Sequence, residues 1–275
     1  MSSITVKPLT PTIGAEIAGV DLREPLGQDD VARIERALLD HLVVFFRDQE
    51  ITPAQQIEFG RRFGELCFPP FMTQHGDDPE LLVLDQVNPK GEGTDVWHSD
   101  NTFMEEPPLG SILRAIQLPK IGGDTCFASA YAAYEAFSPQ MRTFLDGLEA
   151  VHDLTATLER ANAAGHTNDD VEAILTASPP VVHPVVRTHP LTGRKALFVN
   201  ANSTTRIVGL SDRESALLLP FLCDQIRSPE FQCRFEWAPN SIAFWDNRSA
   251  QHLAVADYHE RRIMHRVTVA GDKPF

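Results

Sequence analysis

Cysteine is scarce in this sequence, and its spacing suggests neither a disulfide framework nor a zinc site. The chain has 275 residues and four cysteines, Cys67, Cys126, Cys223 and Cys233, none of which forms a CxxC pair. A structural zinc site or a redox motif needs closely spaced thiols, and a disulfide-stabilised fold needs many of them. We therefore expect four reduced structural thiols in a reducing compartment.

Long apolar runs and an excess of positive charge are also absent. Lys and Arg total 24 against 38 Asp and Glu, which gives a formal net charge of -14. Without a basic stripe to match a phosphate backbone, nucleic acid is not an expected partner. No stretch is long and apolar enough to cross a bilayer, and residues 1–10 lack the features of a signal peptide. We expect a cytoplasmic protein with no membrane partner.

The chain does contain enough apolar material for a sizeable core. Hydrophobic residues make up 43% of it, and its length lies at the upper end of what one domain holds. Neither an internal repeat nor a convincing domain boundary is visible, so we expect a single domain over residues 1–275. The stretch 160–180 is rich in Ala, Asn and Asp and ends in a proline pair, which predicts a mobile loop or lid.

Four helices are indicated by their start signals or their apolar spacing. Apolar residues recur on one face of Gln28–His41, and acidic residues occupy its first turn. Thr52 before Pro53 and Ser138 before Pro139 each combine an N-cap with proline at the first helical position. Ser211 and Glu214 form a capping box. We expect the second helix to reach Phe63 and the third to reach Leu148.

Strand-like segments predominate elsewhere. Short strands and turns are expected within residues 4–20, followed by strand segments at 42–46, 81–84, 112–116, 196–199, 231–237, 241–245 and 263–270. Short polar links join the last three segments, which favours an antiparallel meander over a parallel sheet. The predicted fold class is mainly β with flanking helices.

A histidine and a carboxylate two residues apart, His98 and Asp100, form the first candidate for chemistry. On an extended strand both side chains point to the same side, so the pair could grip one ion. In a chain with ten histidines and many acids, about one such pair is expected by chance. A surface hydrogen bond is the simpler alternative.

His252 is a candidate for a third ligand. It follows a buried-looking strand and a polar turn, and its neighbours are small or apolar. Two histidines and one carboxylate on one side of a metal leave the other side open, which suits Fe(II) and O2 chemistry. The alternative is a hydrogen-bonded core histidine.

Two arginines follow ten and fourteen residues later. Arg262, Met264 and Arg266 alternate with Ile263 and His265, so on a strand both guanidinium groups share a face. If that face is interior, their burial costs several kcal/mol unless anions lie beside them, as two anionic ligands would. Alternatively, the arginine face is solvated and the Ile263 face is the core.

With these residues in place, the sequence resembles the taurine dioxygenase and 2,4-D dioxygenase family of Fe(II)/2-oxoglutarate enzymes over nearly its whole length, and it looks closest to the taurine dioxygenase branch. The matching stretches are Ile13–Ala15, Val43–Gln49, Trp97–Asp100, Gly122–Thr125, His183–Pro190, Thr204–Val208, Trp245–Arg248 and Arg261–Arg266.

The resemblance implies a jelly roll, or double-stranded β-helix, in which His98, Asp100 and His252 bind iron. It implies that Thr125 and Arg262 hold the distal carboxylate of 2-oxoglutarate and that Arg266 contacts an anionic group of a small organic substrate. The implied reaction consumes O2, converts 2-oxoglutarate to succinate and CO2, and hydroxylates a substrate C–H bond. Family members commonly form dimers or tetramers, so a homo-oligomer is expected.

The presumed substrate pocket departs from the taurine-specific pattern. Polar and aromatic positions of that pattern align with Pro69, Met72, Thr94, Leu158 and Ser203, and Asn101 stands beside the candidate ligand Asp100. Because groups that could bind an amine are lost, we expect taurine to be a poor substrate and a less polar sulfonate or sulfate ester to be better. Other open interpretations are an alkylsulfatase-like or aryloxyalkanoate dioxygenase, a zinc hydrolase and a non-catalytic binding module.

Overall fold

A computed structural model describes residues 4–68 and 78–275. In these ranges the protein is mainly β, with helices on the outside. The strands are β1 (Thr5–Pro8), β2 (Ala15–Ala18), β3 (Val43–Phe46), β4 (Leu82–Gln86), β5 (Gly110–Gln117), β6 (Thr125–Ser129), β7 (Glu149–His152), β8 (Val181–Pro184), β9 (Val186–Thr188), β10 (Lys195–Leu197), β11 (Thr204–Ile207), β12 (Gln232–Phe235), β13 (Ile242–Asp246), β14 (Ala250–Ala254) and β15 (Arg262–Val269).

Four of the seven α-helices in the described ranges begin where the sequence predicts. The helices are α1 (Gln28–His41), α2 (Pro53–Arg61), α3 (Ala130–Glu135), α4 (Pro139–Leu145), α5 (Thr155–Ala164), α6 (Val171–Ala177) and α7 (Asp212–Gln225). The starts of α1, α2, α4 and α7 match the prediction, whereas α3, α5 and α6 were not predicted. The capping boxes at Thr52 and Ser211 are both formed, and the Ser138 side chain accepts a hydrogen bond from the backbone of Met141. Two helices end earlier than predicted, α2 before Phe63 and α4 before Leu148. No helix of the described ranges is long and apolar enough to span a membrane.

Two sheets position the chemistry. The larger has seven strands in the order β1-β2-β3-β13-β5-β15-β4, and a three-stranded sheet has the order β12-β6-β14. Smaller sheets, β11-β7-β8 and β10-β9, complete the described strands. Pairing is antiparallel except between β2 and β3.

The predicted antiparallel meander of the last three strand segments is wrong. β12 pairs with β6 in the small sheet, whereas β13 lies in the large sheet between β3 and β5. β15 lies on the other side of β5. Strands β12 and β14 lie in the small sheet, whereas β13 and β15 lie in the large sheet. Consecutive strands therefore alternate between the two sheets rather than pairing with each other.

Strands β3 and β13 of the large sheet are buried on both faces. Phe45 of β3 stacks on Phe235 of the small sheet with ring centroids 4.0 Å apart, and Trp245 of β13 lies 5.7 Å from Phe127. The alternate residues of the same strands face helices α1 and α2, where Phe46 and Phe244 pack near Phe59. This period-two alternation explains why β3 and β13 read as continuous apolar runs.

The prediction of a loop over residues 160–180 is wrong in its secondary structure. Helices α5 and α6 occupy most of this stretch and form a helical hairpin. The Asp170 side chain caps α6 by accepting from the Ala173 backbone, and Gly165 ends α5 with φ 77°. Polar and small residues are typical of loops, but here they form the cap and the stop between two short helices.

Candidate metal centre and adjoining cavities

His98, Asp100 and His252 converge on one point. Their candidate ligand atoms all lie within 4.8 Å of one another, and the three side chains are buried. An oxygen of Asp100 (Oδ1) lies 3.8 Å from Nε2 of His98 and 3.8 Å from Nε2 of His252. Within the described ranges this is the one group of its kind.

The local backbone differs from the predicted strand. His98 forms an isolated antiparallel bridge with His252 through two backbone hydrogen bonds of 3.0 and 2.8 Å. Asp100 already lies in the following turn, which Asn101 completes with φ 52°. The expectation that His98 and Asp100 share one regular strand is therefore wrong. The bridge to β14, rather than strand alternation, brings the three side chains together.

The hydrogen bonds and charges leave the three groups in a metal-binding state. Nδ1 of His98 donates to the Val96 carbonyl at 2.8 Å, which leaves Nε2 of that ring free to bind. Burial lowers the pKa of His98, and burial followed by the charge of His98 lowers the pKa of His252 to about 3, so both rings are neutral. Burial raises the pKa of Asp100, but Arg266 and the two histidines outweigh it and bring the pKa to about 2.

Further residues hold Asp100 in place. Ser111 donates its hydroxyl to Oδ2 of Asp100 at 2.8 Å, and Arg266 lies 3.3 Å from Oδ1. The Asn247 side chain accepts from the Asp100 backbone N–H at 2.6 Å and donates to the Asp100 carbonyl at 2.9 Å. Two neutral imidazoles and one fixed carboxylate match the ligand set of mononuclear non-haem Fe(II) oxygenases.

Strand β15 turns its two arginines inward. Arg262 and Arg266 are 3% and 7% exposed, whereas Ile263 and His265 between them are only partly buried. The alternative of a solvated arginine face is therefore wrong. Nε and Nη2 of Arg262, and Nε of Arg266, are buried and have no hydrogen-bond partner among the described residues. Unpaired buried guanidinium donors are costly, so this face is built for an anionic ligand.

Thr125 lies in the same narrow cavity as Arg262. The cavity also contains His98, His252 and Arg266, so it joins the arginine to the candidate ligands. The Thr125 hydroxyl oxygen accepts from the Trp237 indole at 3.0 Å, which leaves its hydrogen available to donate. Burial lowers the pKa of Arg262, and the Tyr258 phenol opposes that effect.

The structure explains why position 123, shortly before Thr125, is a glycine. Gly123 has φ 76°, and a Cβ added there would lie 3.3 Å from Cδ of Arg262 and 3.2 Å from the Tyr258 ring. Its backbone N–H donates to Asp257 at 2.8 Å. The glycine therefore lets the turn before β6 pass close beneath the arginine side chain.

A second and larger cavity, of about 250 Å³, is also lined by His98 and Asp100. Arg266, Asn101, Thr94, Leu158 and Ser203 all line it, which groups five of the predicted pocket residues. Nδ2 of Asn101 is buried without a partner in the described ranges. The remaining two predicted pocket residues, Pro69 and Met72, lie outside the described residues.

Several residues that line this cavity were not predicted from the sequence. Phe103, Leu154 and Ile174 add apolar wall, and Glu92 and Asp169 add two carboxylates. Ile174 and Asp169 belong to the stretch that was interpreted as a loop, and no periodic pattern singled out the others. Of the residues that hold Asp100, Asn247 lies in the stretch Trp245–Arg248 that resembles the family. Ser111 could not be identified from the sequence, because a serine near the start of a strand is common.

Comparison with known proteins agrees with this geometry. The family model described as "Taurine catabolism dioxygenase TauD, TfdA family" matches residues 5–268. An α-ketoglutarate-dependent sulfate ester dioxygenase from Pseudomonas putida is 36% identical over 98% of this chain and 91% of the relative. An alkylsulfatase from Acinetobacter baylyi is 34% identical over 98% of this chain and 86% of the relative.

A solved structure has the same fold as this chain. The crystal structure of a protein from Burkholderia xenovorans, described as a putative α-ketoglutarate-dependent taurine dioxygenase, has a TM-score of 0.85 and 39% identity. The match covers 99% of this chain and 94% of that chain. The protein therefore belongs to the taurine catabolism dioxygenase TauD, TfdA family and is an Fe(II)- and 2-oxoglutarate-dependent dioxygenase.

Proposed function

We propose that this enzyme hydroxylates a monoanionic sulfate ester or sulfonate with an apolar body, bound in the 250 Å³ cavity beside His98 and Asp100. The proposal rests on two buried donors that have no partner among the described residues, Nε of Arg266 and Nδ2 of Asn101. Both residues line the cavity beside apolar side chains. In this proposal His98, Asp100 and His252 hold the iron. When bound, iron supplies O2 activation coupled to decarboxylation of 2-oxoglutarate.

Thr125 and Arg262 anchor the far carboxylate of 2-oxoglutarate. Support comes from the two free donors of Arg262 and the spare hydroxyl hydrogen of Thr125, which share one cavity. A planar guanidinium can bind a carboxylate through two parallel hydrogen bonds, and the fixed positive charge offsets the dianionic co-substrate. Anchoring the distal end fixes the orientation of the keto acid toward the metal ligands.

Arg266 and Asn101 orient the anionic group of the substrate. Nη1 of Arg266 lies 3.3 Å from Asp100. An anion bound by the unpartnered Nε of the same guanidinium is therefore held close to the metal ligands. Placing the anion there brings the neighbouring carbon of the substrate, rather than a remote one, toward the reaction centre.

The rest of the cavity favours an apolar body without a second anion. Leu158, Phe103 and Ile174 contribute apolar surface, whereas Glu92 and Asp169 would repel a distal negative charge. Glu92 is already engaged, because it accepts from Gln86 and lies 3.6 Å from His166. The names of the Pseudomonas and Acinetobacter relatives, which act on sulfate esters and alkyl sulfates, support the same substrate class.

We also infer that the seven-stranded and three-stranded sheets are the two faces of a jelly roll. Support comes from strands that alternate between the two sheets and from the aromatic contacts between them. Self-association, a single domain over residues 1–275 and a cytoplasmic location stay predictions from the sequence. Sedimentation analysis of the purified protein measures the first of these.

A competition assay tests the substrate proposal. Equal concentrations of taurine, a medium-chain alkyl sulfate, an alkyl sulfonate and 2,4-dichlorophenoxyacetate are supplied with Fe(II), 2-oxoglutarate and O2. Succinate measures turnover, and sulfate or phenol shows that the alkyl sulfate or the aryloxyacetate was consumed. Taurine and the alkyl sulfonate both release sulfite, so the aldehyde formed with it identifies which of the two was consumed. We expect kcat/KM for the alkyl sulfate or sulfonate to exceed that for taurine by about a hundredfold. Preference for taurine or for the aryloxyacetate would overturn the proposal.

A further inference from the structure

The two oxygens of the Asp100 carboxylate have different surroundings. Oδ1 faces the two imidazoles, 3.8 Å from Nε2 of each, whereas Oδ2 accepts the Ser111 hydroxyl at 2.8 Å. Oδ1 also lies 3.3 Å from Nη1 of Arg266, but this contact is longer than the 2.8 Å bond that commits Oδ2 to Ser111, so Oδ1 is the better metal ligand of the two. The carboxylate is thus presented to the metal through one defined oxygen.

Ser111 is itself held rigidly. It lies in β5, an interior strand of the large sheet between β13 and β15, and pairs with Trp245 on one side and Thr268 on the other. It is fully buried. Gly110 before it packs so tightly that an added Cβ would lie 2.2 Å from the Trp245 carbonyl oxygen. A hydroxyl on such a backbone has little freedom to follow a carboxylate that rotates.

The Asp100 backbone is fixed independently by Asn247. This amide accepts from the Asp100 N–H and donates to the Asp100 and Pro108 carbonyls. Asn247 lies in the turn between β13 and β14, so it ties the Asp100 turn to the connection that leads into β14, the strand that carries His252. With the backbone fixed, the main freedom left to Asp100 is rotation of its side chain, which Ser111 restricts.

We propose that Ser111 is a positioning residue that restricts Asp100 to one-oxygen coordination of the metal, so that the co-substrates keep their coordination positions. A second oxygen from Asp100 would occupy a position that 2-oxoglutarate or O2 needs. The inference rests on the assignment of Asp100 as a metal ligand proposed above. It concerns the resting metal site and is testable without turnover.

The test compares Ser111→Ala, Ser111→Thr and Ser99→Ala. Ser99 is a matched control because it is buried between the ligands, yet its hydroxyl donates to the Ala250 carbonyl at 3.0 Å and not to Asp100. Mn(II) binding is measured anaerobically by calorimetry, and water-proton relaxation counts the exchangeable waters on the bound ion. Thermal unfolding of the metal-free proteins measures any general loss of stability.

We expect Ser111→Ala to weaken Mn(II) binding by about 10- to 100-fold, or to bind it with one fewer exchangeable water, as two-oxygen coordination by Asp100 requires. Ser111→Thr, which keeps the hydroxyl, and Ser99→Ala should both stay within about threefold of the wild type. If Ser111→Ala matches the wild type in affinity and in water count, the positioning role is wrong.

A fourth variant separates this inference from the assignment of the metal site. Asp100→Ala should lose Mn(II) binding by far more than Ser111→Ala. If Asp100→Ala binds Mn(II) like the wild type, the ligand assignment itself fails. If Asp100→Ala loses the metal but Ser111→Ala changes neither affinity nor hydration, only the role of Ser111 fails.

Discussion

At the scale of single residues, Arg262 and its neighbour Arg261 have opposite environments. Arg262 is buried and has two unpartnered donors, whereas Arg261 is exposed and pairs with Asp85 on the surface. This contrast provides a matched pair of substitutions on one strand end. Both replacements remove one guanidinium group, but only one of those groups faces the cavity shared with Thr125.

Arg262→Leu should raise the KM for 2-oxoglutarate by about two to three orders of magnitude, because the distal carboxylate loses a buried charge-assisted partner. Arg261→Leu should leave that KM within about twofold, since exposed pairs contribute little. Succinate formation at varied 2-oxoglutarate measures both. Equal effects of the two substitutions would show that the register of β15 does not direct Arg262 to the co-substrate.

Asn101 offers a second residue-scale prediction. Its φ of 52° suits Asn and Asp better than other side chains, so Asn101→Asp changes the charge with little change of backbone. A carboxylate in place of the free Nδ2 donor should repel an anionic substrate and raise its KM by about a hundredfold. The KM for 2-oxoglutarate, measured in the same assay, should change much less. A larger effect on 2-oxoglutarate than on substrate would contradict the assignment.

At the scale of elements, the α5–α6 hairpin forms one wall of the proposed substrate cavity and is anchored at two ends. Arg160 donates to the Asn202 side chain at 2.8 Å, and Thr157 donates to the Asn202 carbonyl at 2.9 Å. At the far end of α5, His166 bonds to the Lys90 carbonyl at 2.8 Å. The hairpin therefore bridges two segments that both line the cavity.

Arg160→Met should loosen this hairpin without unfolding the sheets. Loss of one charge-assisted anchor should speed amide hydrogen exchange in residues 155–177 by about tenfold. Thr176→Val is the control, since the Thr176 hydroxyl donates to the Glu172 carbonyl within α6 at 2.9 Å. Mass spectrometry of exchanged peptides measures the effect. Unchanged exchange in Arg160→Met would mean that the contact with Asn202 does not hold the hairpin.

At the scale of the whole molecule, stability should depend on pH through a buried histidine. His152 is fully buried beside Phe198 and hydrogen-bonds to Thr102, and burial lowers its pKa from 6.5 to about 3. The unfolded chain takes up a proton below about pH 6.5, but the folded protein does so only near pH 3. This contribution to stability is therefore complete above pH 6.5 and is lost as the pH falls toward 3.

We predict that the free energy of unfolding of the metal-free protein falls between pH 6.5 and pH 4 by up to about 1.4 kcal/mol per pH unit from this residue. His152→Phe should remove this share of the slope, while the buried His98 and His252 keep theirs. It should also lower stability at neutral pH, because the Thr102 hydroxyl loses its bond to His152 and keeps the one from Asn200. His259→Gln, at an exposed position, should keep the slope. Denaturant unfolding at a series of pH values measures all three. An unchanged slope in His152→Phe would show that another group sets the acid limit.

The sequence by itself determined four of the helices, the most apolar strands and the candidate residues, but not α3, α5 or α6. Helix starts at Thr52, Ser138 and Ser211 follow from caps and proline, which act within a few residues and need no distant partner. That the two arginines of β15 share one face followed from their alternation, because period two is a property of any strand, but only the structure shows that this face is inward. The family was also recognisable, since its matching stretches are contiguous in the chain.

Tertiary structure decided how those elements are joined. Strand partners were not readable, because β5 lies between β13 and β15 through contacts more than a hundred residues apart in the chain. His98 and Asp100 come together with His252 through a backbone bridge rather than along one strand, and Ser111 and Asn247 reach Asp100 from distant segments. Such contacts depend on which surfaces fold against each other, and no local pattern of residue types encodes that choice.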